Sequence, residues 1–494
     1  MRPTKTTRTL GWVILLALAA QWAPGLDAVR WMPDDAWAFM PKLFRPGTTA
    51  QPEPVIEGQV DEAALLAETT APVAEPGPTA SDPAEWATVP LIVATPDVES
   101  DAPVPQNPDQ AKTAGGLPLL PIEDRQNTLA RFFRRLEHID NGGDNVVRVV
   151  HYGDSLLTGD YVTRTVRRLL QKRFGDAGHG FVLSGKPASW YRRDHLRMTT
   201  SDDWEIFRLT QPAIRDRRYG LGGVTVRTRK VGQWVRYRLA PNDGLGGAVS
   251  RVRINYLAGP RGGRFSLKAA GQTLKVDARA EALEERVAEL RMIDGDHTVR
   301  LRTEGHGEVR LFGAVLERQV PGVVYDALGL DGARARLLRR FDQDHWHRQL
   351  RQRKPDLLVL QYGTNESQAA HLGMDRYRAD LSAVVGGLRA ALPGVSCLLV
   401  GPLDRAERGK RGKLVTRPVV KRIVDAQREV AFRQGCAYWN TWRAMGGEGS
   451  MARWYHSKPR LARGDLTHPT SRGAERIGAM LYAALMDGYA KHTN

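Results

Sequence analysis

Two hydrophobic periods, one nested inside the other, constrain the fold of this chain most. An apolar strand over 146–150 leads into a tight Gly153-Asp154-Ser155 turn. An amphipathic helix over 161–174 follows, with Val162, Val166, Leu169 and Leu170 on one face. The period then changes to two. Short runs at 224–226, 234–237, 252–256, 265–267, 274–276, 298–301 and 309–312 alternate apolar and polar residues between glycine-rich turns, as an antiparallel sandwich requires. Helical patterning returns at 333–341. From there strands at 357–360, 397–400 and 437–439 alternate with helices at 374–392, 418–434 and 471–489. A helix over 127–139, with Leu129, Phe132, Phe133 and Leu136 on one face, precedes the first strand. The pattern predicts one α/β domain over 121–189 and 321–494, interrupted by a β-sandwich insert over 190–320.

The first 120 residues follow other rules. Arg2, Lys5 and Arg8 precede a compact apolar stretch over 12–20, the layout of an export signal. That stretch is short for a membrane span of roughly 20 apolar residues. Residues 1–30 are therefore expected to be a signal peptide or an uncleaved N-terminal anchor associated with the inner membrane. Between Gln51 and Gln110 lie eleven prolines, twelve acidic residues and no Lys or Arg. Fixed φ angles and the lack of an apolar face prevent a packed core, so 31–120 reads as a disordered linker. The chain as a whole carries a net charge of +17, so its basic excess belongs to the folded part. Such a surface steers anionic partners. No nucleic-acid module or zinc-finger spacing occurs, and no nucleic-acid partner is expected.

Three polar signatures stand beside the apolar runs. His151-Tyr152-Gly153-Asp154-Ser155 follows the first strand, Gly363-Thr364-Asn365-Glu366 follows the strand at 357–360, and Asp465-Leu466-Thr467-His468 precedes the last helix. Residues that follow the strands of a parallel sheet collect at its C-terminal edge, where α/β folds gather catalytic groups. Ser155, His468, Asp465 and Asn365 there supply a nucleophile, a base, its orienter and an oxyanion donor. Taken singly, each has a duller reading: an Asp-Ser pair as a turn, 465–468 as a helix cap, Asn365 as a loop residue. Their joint placement favours the chemical one. Asp154 is assigned to hydrogen bonding in its turn, and His151, His345 and His347, which lack a comparable partner pattern, to packing or surface.

Read together, the signatures resemble the SGNH/GDSL hydrolase superfamily. The family's serine block is matched by Gly153-Asp154-Ser155, its Gly-x-Asn block by Gly363-Thr364-Asn365, and its Asp-x-x-His block by 465–468. The resemblance implies a three-layer α/β sandwich around a parallel sheet, with Ser155, Asp465 and His468 as catalytic triad. It also implies an oxyanion hole from the Ser155 amide, a second-block glycine amide and Asn365. Gly332, after a candidate strand at 323–325, fits the second block better than Gly220–Gly223. That choice places the β-rich block between nucleophile and second block, an arrangement similar to the peptidoglycan O-acetylesterase branch with its carbohydrate-binding-like insert. Residues 174–181 and 445–450 also resemble that branch.

The function expected is serine-dependent hydrolysis of O-acetyl esters on a cell-wall carbohydrate, O-acetylated peptidoglycan in particular, in the periplasm or extracytoplasmic envelope. A carbohydrate O-acetyltransferase and an inactive wall-glycan-binding protein are the alternatives. No cofactor or metal is expected. Trp454 and Tyr455, just upstream of Asp465, are candidates for the substrate rim; Trp190, Tyr191 and Trp234 either stack on sugars or fill the core. Cys397 and Cys436 each open a strand-like run and fit no metal-ligand spacing. They bridge if their strands are neighbours in register, and are otherwise buried thiols.

Overall fold

A computed structural model describes residues 116–242, 244–369 and 371–493. The expected N-terminal anchor and most of the linker lie outside them. Five parallel strands form the central sheet: β1 (Val146–Gly153), β2 (Gly322–Gly329), β3 (Leu357–Gln361), β4 (Ser396–Val400) and β5 (Ala437–Trp439), in the order β2-β1-β3-β4-β5. Helices α1 (Ala130–Asp140) and α6 (Ser471–Thr493) flank the strands in sequence, and α2 (Tyr161–Phe174), α3 (Gln343–Arg353), α4 (Met374–Ala391) and α5 (Pro418–Arg433) lie in the connections between them.

Side-chain alternation along the strands divides the core in two. Val147, Val149, Val323, Tyr325, Val359, Leu398 and Trp439 face α1, α2 and α6. Val150, Tyr152, Leu358, Leu360, Leu399 and Tyr438 face α3, α4 and α5. The sheet is thus covered on both faces, which is why its strands read as unbroken apolar runs.

Between α2 and β2 the chain builds two antiparallel sheets. One has the strand order 284–295, 249–258, 309–317, 224–228, 205–208; the other runs 196–200, 234–239, 299–305, 264–269, 272–277. Their inner faces meet through residues such as Tyr256 and Phe265, whose rings pack edge to face at 5.2 Å. The strand Gly178–Val182 pairs with Val309–Glu317, so the insert's pairing begins upstream of the boundary expected at 190. Every residue of Val309–Glu317 is buried, because one face meets the second sheet and the other meets the α/β body.

A buried ion cluster joins the two parts. Glu317 accepts from Arg148 Nε and Nη2, each at 3.1 Å, and also pairs with Arg251 and Arg353. Arg353 in turn donates to Asp326 at 2.9 Å, and Asp326 accepts the Phe181 amide at 2.7 Å. Burial alone would raise the Glu317 carboxyl, but Arg353 and Arg148 outweigh it and hold the group below the usual carboxylate range. Cys397 and Cys436 are joined by a disulfide between β4 and the start of β5, with Cα atoms 4.8 Å apart.

Candidate active site

Three adjacent strands end at one place. β1 runs directly into the short helix Ser155–Thr158, which crosses the sheet edge under two glycines. A Cβ at Gly153 would lie 2.4 Å from Leu157, and one at Gly329 2.4 Å from the Leu157 carbonyl carbon, so any larger residue would displace the turn that presents Ser155. Beyond β2, Gly332 takes φ +71. The expected alternative at Gly220–Gly223 is instead a turn of the insert, closed by a bond from the Gly223 amide to the Gly220 carbonyl at 2.8 Å. Beyond β3, Asn365 donates from Nδ2 to the Ala333 carbonyl at 2.9 Å, tying its loop to the one that carries Gly332. The amide keeps a second N–H.

The fourth contribution comes from the loop before α6. Ser155 Oγ lies 2.9 Å from His468 Nε2, and His468 Nδ1 lies 2.8 Å from Asp465 Oδ2. Leu466 adopts φ +56, which folds the loop so that the Thr467 and His468 amides both donate to Asp465 Oδ1 at 3.0 Å. Burial would raise Asp465, but the ring and amide hydrogen bonds hold its carboxyl well below the usual range. It therefore stays ionised and can fix the Nδ1–H tautomer of His468, leaving Nε2 free to accept from Ser155.

Asp154 behaves differently. It is fully buried, its Oδ1 accepts the Leu156 amide at 3.1 Å, and burial pushes its pKa up to about 7, with the Glu366 charge adding to the shift. Glu366 braces the two loops, accepting the Ala335 amide at 2.9 Å and the Gly363 amide at 3.0 Å. His151, pushed down to about 3 by burial, bonds Tyr325 at 2.7 Å, and His345 bonds the Tyr219 carbonyl at 2.9 Å; both are packing residues.

Of the expected rim residues, Trp454 needs correction. Trp454 is only 7% exposed and packs into the core beneath the histidine loop, because the helix Ser450–His456 turns its indole inward; Tyr455 is half-buried beside Arg460. The exposed aromatic near the nucleophile is Trp190, 43% exposed, whose ring lies 3.9 Å from the Cβ position of Gly159, just after the serine helix. Three charged neighbours of the site had no sequence signal. Asp331 faces His468 and Arg208, and its carboxyl is raised by burial. Arg405 donates to the Thr364 carbonyl at 3.3 Å and lies in the field of Asp465. Each is one charged residue among many in an arginine-rich chain.

A family model described as GDSL-like Lipase/Acylhydrolase family matches residues 294–476, which include Gly332, Asn365, Asp465 and His468 but not Ser155. The chain has the SGNH/GDSL-type hydrolase fold, a parallel core sheet flanked by additional antiparallel sheets. Among solved structures it is similar to a peptidoglycan O-acetylesterase caught in action at 5 min, at 22% identity and TM-score 0.63, covering 75% of this chain and 99% of that one. Family two carbohydrate esterases are more distant. One from Clostridium thermocellum in complex with cellohexaose has 10% identity, TM-score 0.27 and coverages of 59% and 100%; one from Cellvibrio japonicus has 9%, 0.26, 60% and 99%. No curated protein sequence matches the chain.

Proposed function

We propose that this protein is a serine esterase that removes O-acetyl groups from a cell-wall glycan, O-acetylated peptidoglycan in particular. The observation that carries the chemistry is the unbroken chain of contacts from Ser155 Oγ to His468 Nε2 and from His468 Nδ1 to Asp465. His468 takes the Ser155 proton as Oγ attacks the acetyl carbonyl. The tetrahedral oxygen is met by the amides of Ser155 and Gly332 and by the free N–H of Asn365. Collapse breaks the bond to the sugar oxygen, which takes the proton from His468 and leaves as the hydroxyl, and acetyl-Ser155 remains. A water deprotonated by His468 then releases acetate.

The glycan half of the proposal is supported by the likeness in fold to a peptidoglycan O-acetylesterase and by Trp190, an exposed aromatic beside the serine helix suited to a pyranose face. An extracytoplasmic location is supported by the signal-like N-terminus and by the Cys397–Cys436 disulfide, which persists in oxidising compartments. Among the described residues no helix is long and apolar enough to cross a membrane. Hydrolysis and transfer diverge only at the acyl-enzyme. Acetate release and acetyl transfer should therefore be measured on O-acetylated peptidoglycan with a de-O-acetylated glycan as competing acceptor. Free acetate as the main product supports the esterase; stoichiometric acetylation of the acceptor would replace it with the transferase.

A further inference from the structure

Beside the histidine loop stands a hairpin that the proposed chemistry does not use. Its strands, Ala406–Arg408 and Leu414–Thr416, pair antiparallel across a turn at Lys410–Gly412. Between Arg405 and Arg417 the sequence holds six Lys or Arg residues against one acidic residue, Glu407. Glu407 is already taken by Arg417 at 3.1 Å. Arg408, Lys410, Arg411 and Lys413 are exposed, and among the described residues none of them has a carboxylate within 4.0 Å.

The hairpin's root is fixed to the site. The Ala406 amide donates to the Leu466 carbonyl at 3.0 Å, one residue from Asp465. Buried Asp404 accepts Thr416 Oγ1 at 2.8 Å and the Met451 amide at 2.7 Å, which pins both strands to the helix Ser450–His456. Between hairpin and helix runs a groove of about 520 Å³ lined by Arg408, Lys413, Tyr455, His456, Gly464 and Leu466.

We infer that this hairpin and groove form an anion subsite for the substrate polymer, holding the carboxylates of the peptides that a wall glycan carries while its acetyl ester lies at Ser155. The inference rests on the proposed function and adds to it a requirement for charge on the substrate. Four cations without a carboxylate partner on one short exposed ribbon are a cost in self-repulsion that a bound anion relieves. Because the ribbon's root is bonded to Leu466 and the groove is lined by Gly464 and Leu466, its occupant lies against the loop that carries Asp465 and His468. That position favours a substituent of the substrate over a separate macromolecule.

The test is binding of soluble, non-acetylated peptidoglycan strands to the full-length protein, against the same strands after carbodiimide amidation of their carboxyl groups. At low ionic strength the charged strands should bind roughly tenfold tighter or more, and high salt should erase the difference. The variant R408Q/K410Q/R411Q/K413Q, changed only at exposed positions, should lose that preference while keeping the parent's melting temperature. Equal binding of charged and amidated strands by the parent, or an undiminished preference in the variant, would overturn the subsite. So would hairpin-dependent binding to phosphatidylglycerol vesicles without any preference for charged strands. Failure of the proposed function would look different: no acetate released from O-acetylated strands, with the charge preference intact.

Discussion

Asp154 and Ser155 are neighbours in sequence with opposite surroundings, one sealed under the turn and the other at its mouth. A carboxyl held near pKa 7 in the fold and at about 3.8 when unfolded binds more protons in the native state. Stability from this group is therefore full below pH 3.8 and falls as pH rises towards 7. Asp154→Asn should flatten that slope, and its melting temperature relative to the parent should improve between pH 4 and 8; parallel curves would show that Asp154 does not titrate there. Asn365 carries a different expectation. Its truncation removes one oxyanion donor, so Asn365→Ala should lose about 10²–10³ in kcat, or about 2.7–4 kcal/mol, while Ser155 still reacts with an organophosphonate. Unchanged kcat would remove Asn365 from the hole. The residues that converge at the candidate site were readable because polar letters directly after apolar strands stand out. Trp190 and Trp454 were not, since a sequence does not say which way an indole turns.

At the scale of elements, what was legible followed apolar periodicity. The helix over 161–174 and the strands of the central sheet appear where the pattern puts them. Helix α3 went unread because its buried face is mostly polar. His345, Gln349 and Arg353 join Trp346 and Leu350 there, each bonded to a partner distant in sequence, as when Gln349 donates to the Tyr219 carbonyl at 2.8 Å. The strand Gly178–Val182 was missed for a related reason, since its partner lies across the whole insert. Arg353, Glu317 and Asp326 belong to the same hidden class. Glu317→Gln would leave buried guanidinium charge short of its counter-ion, a change that typically costs about 3–5 kcal/mol. Chemical denaturation should show that loss together with a shallower fall in stability towards acid, because a carboxyl depressed in the fold stabilises above its unfolded pKa and ceases to as pH drops. A loss under about 1 kcal/mol would mean that the cluster is replaceable.

Across the whole molecule, the insert and the hydrolase body share one continuous apolar core from the sandwich through α3, α4 and α5. The insert is consequently packed firmly against the body, and it carries Trp190, beside the serine helix, and Arg208, in the field of Asp331. Trp190→Ala should lower kcat/KM on polymeric glycan by roughly tenfold, the equivalent of about 1.4 kcal/mol, with Trp190→Phe recovering most of it. Equal rates for the alanine variant would make the tryptophan incidental. The central claim is that Ser155 attacks an O-acetyl ester on the wall polymer, and the most direct test is acetate release from O-acetylated peptidoglycan by the parent and by Ser155→Ala, with folding checked by melting temperature. The expected result is release by the parent and a fall of more than about a thousandfold in the folded variant. Near-normal acetate release by Ser155→Ala, or none by the parent, would contradict it.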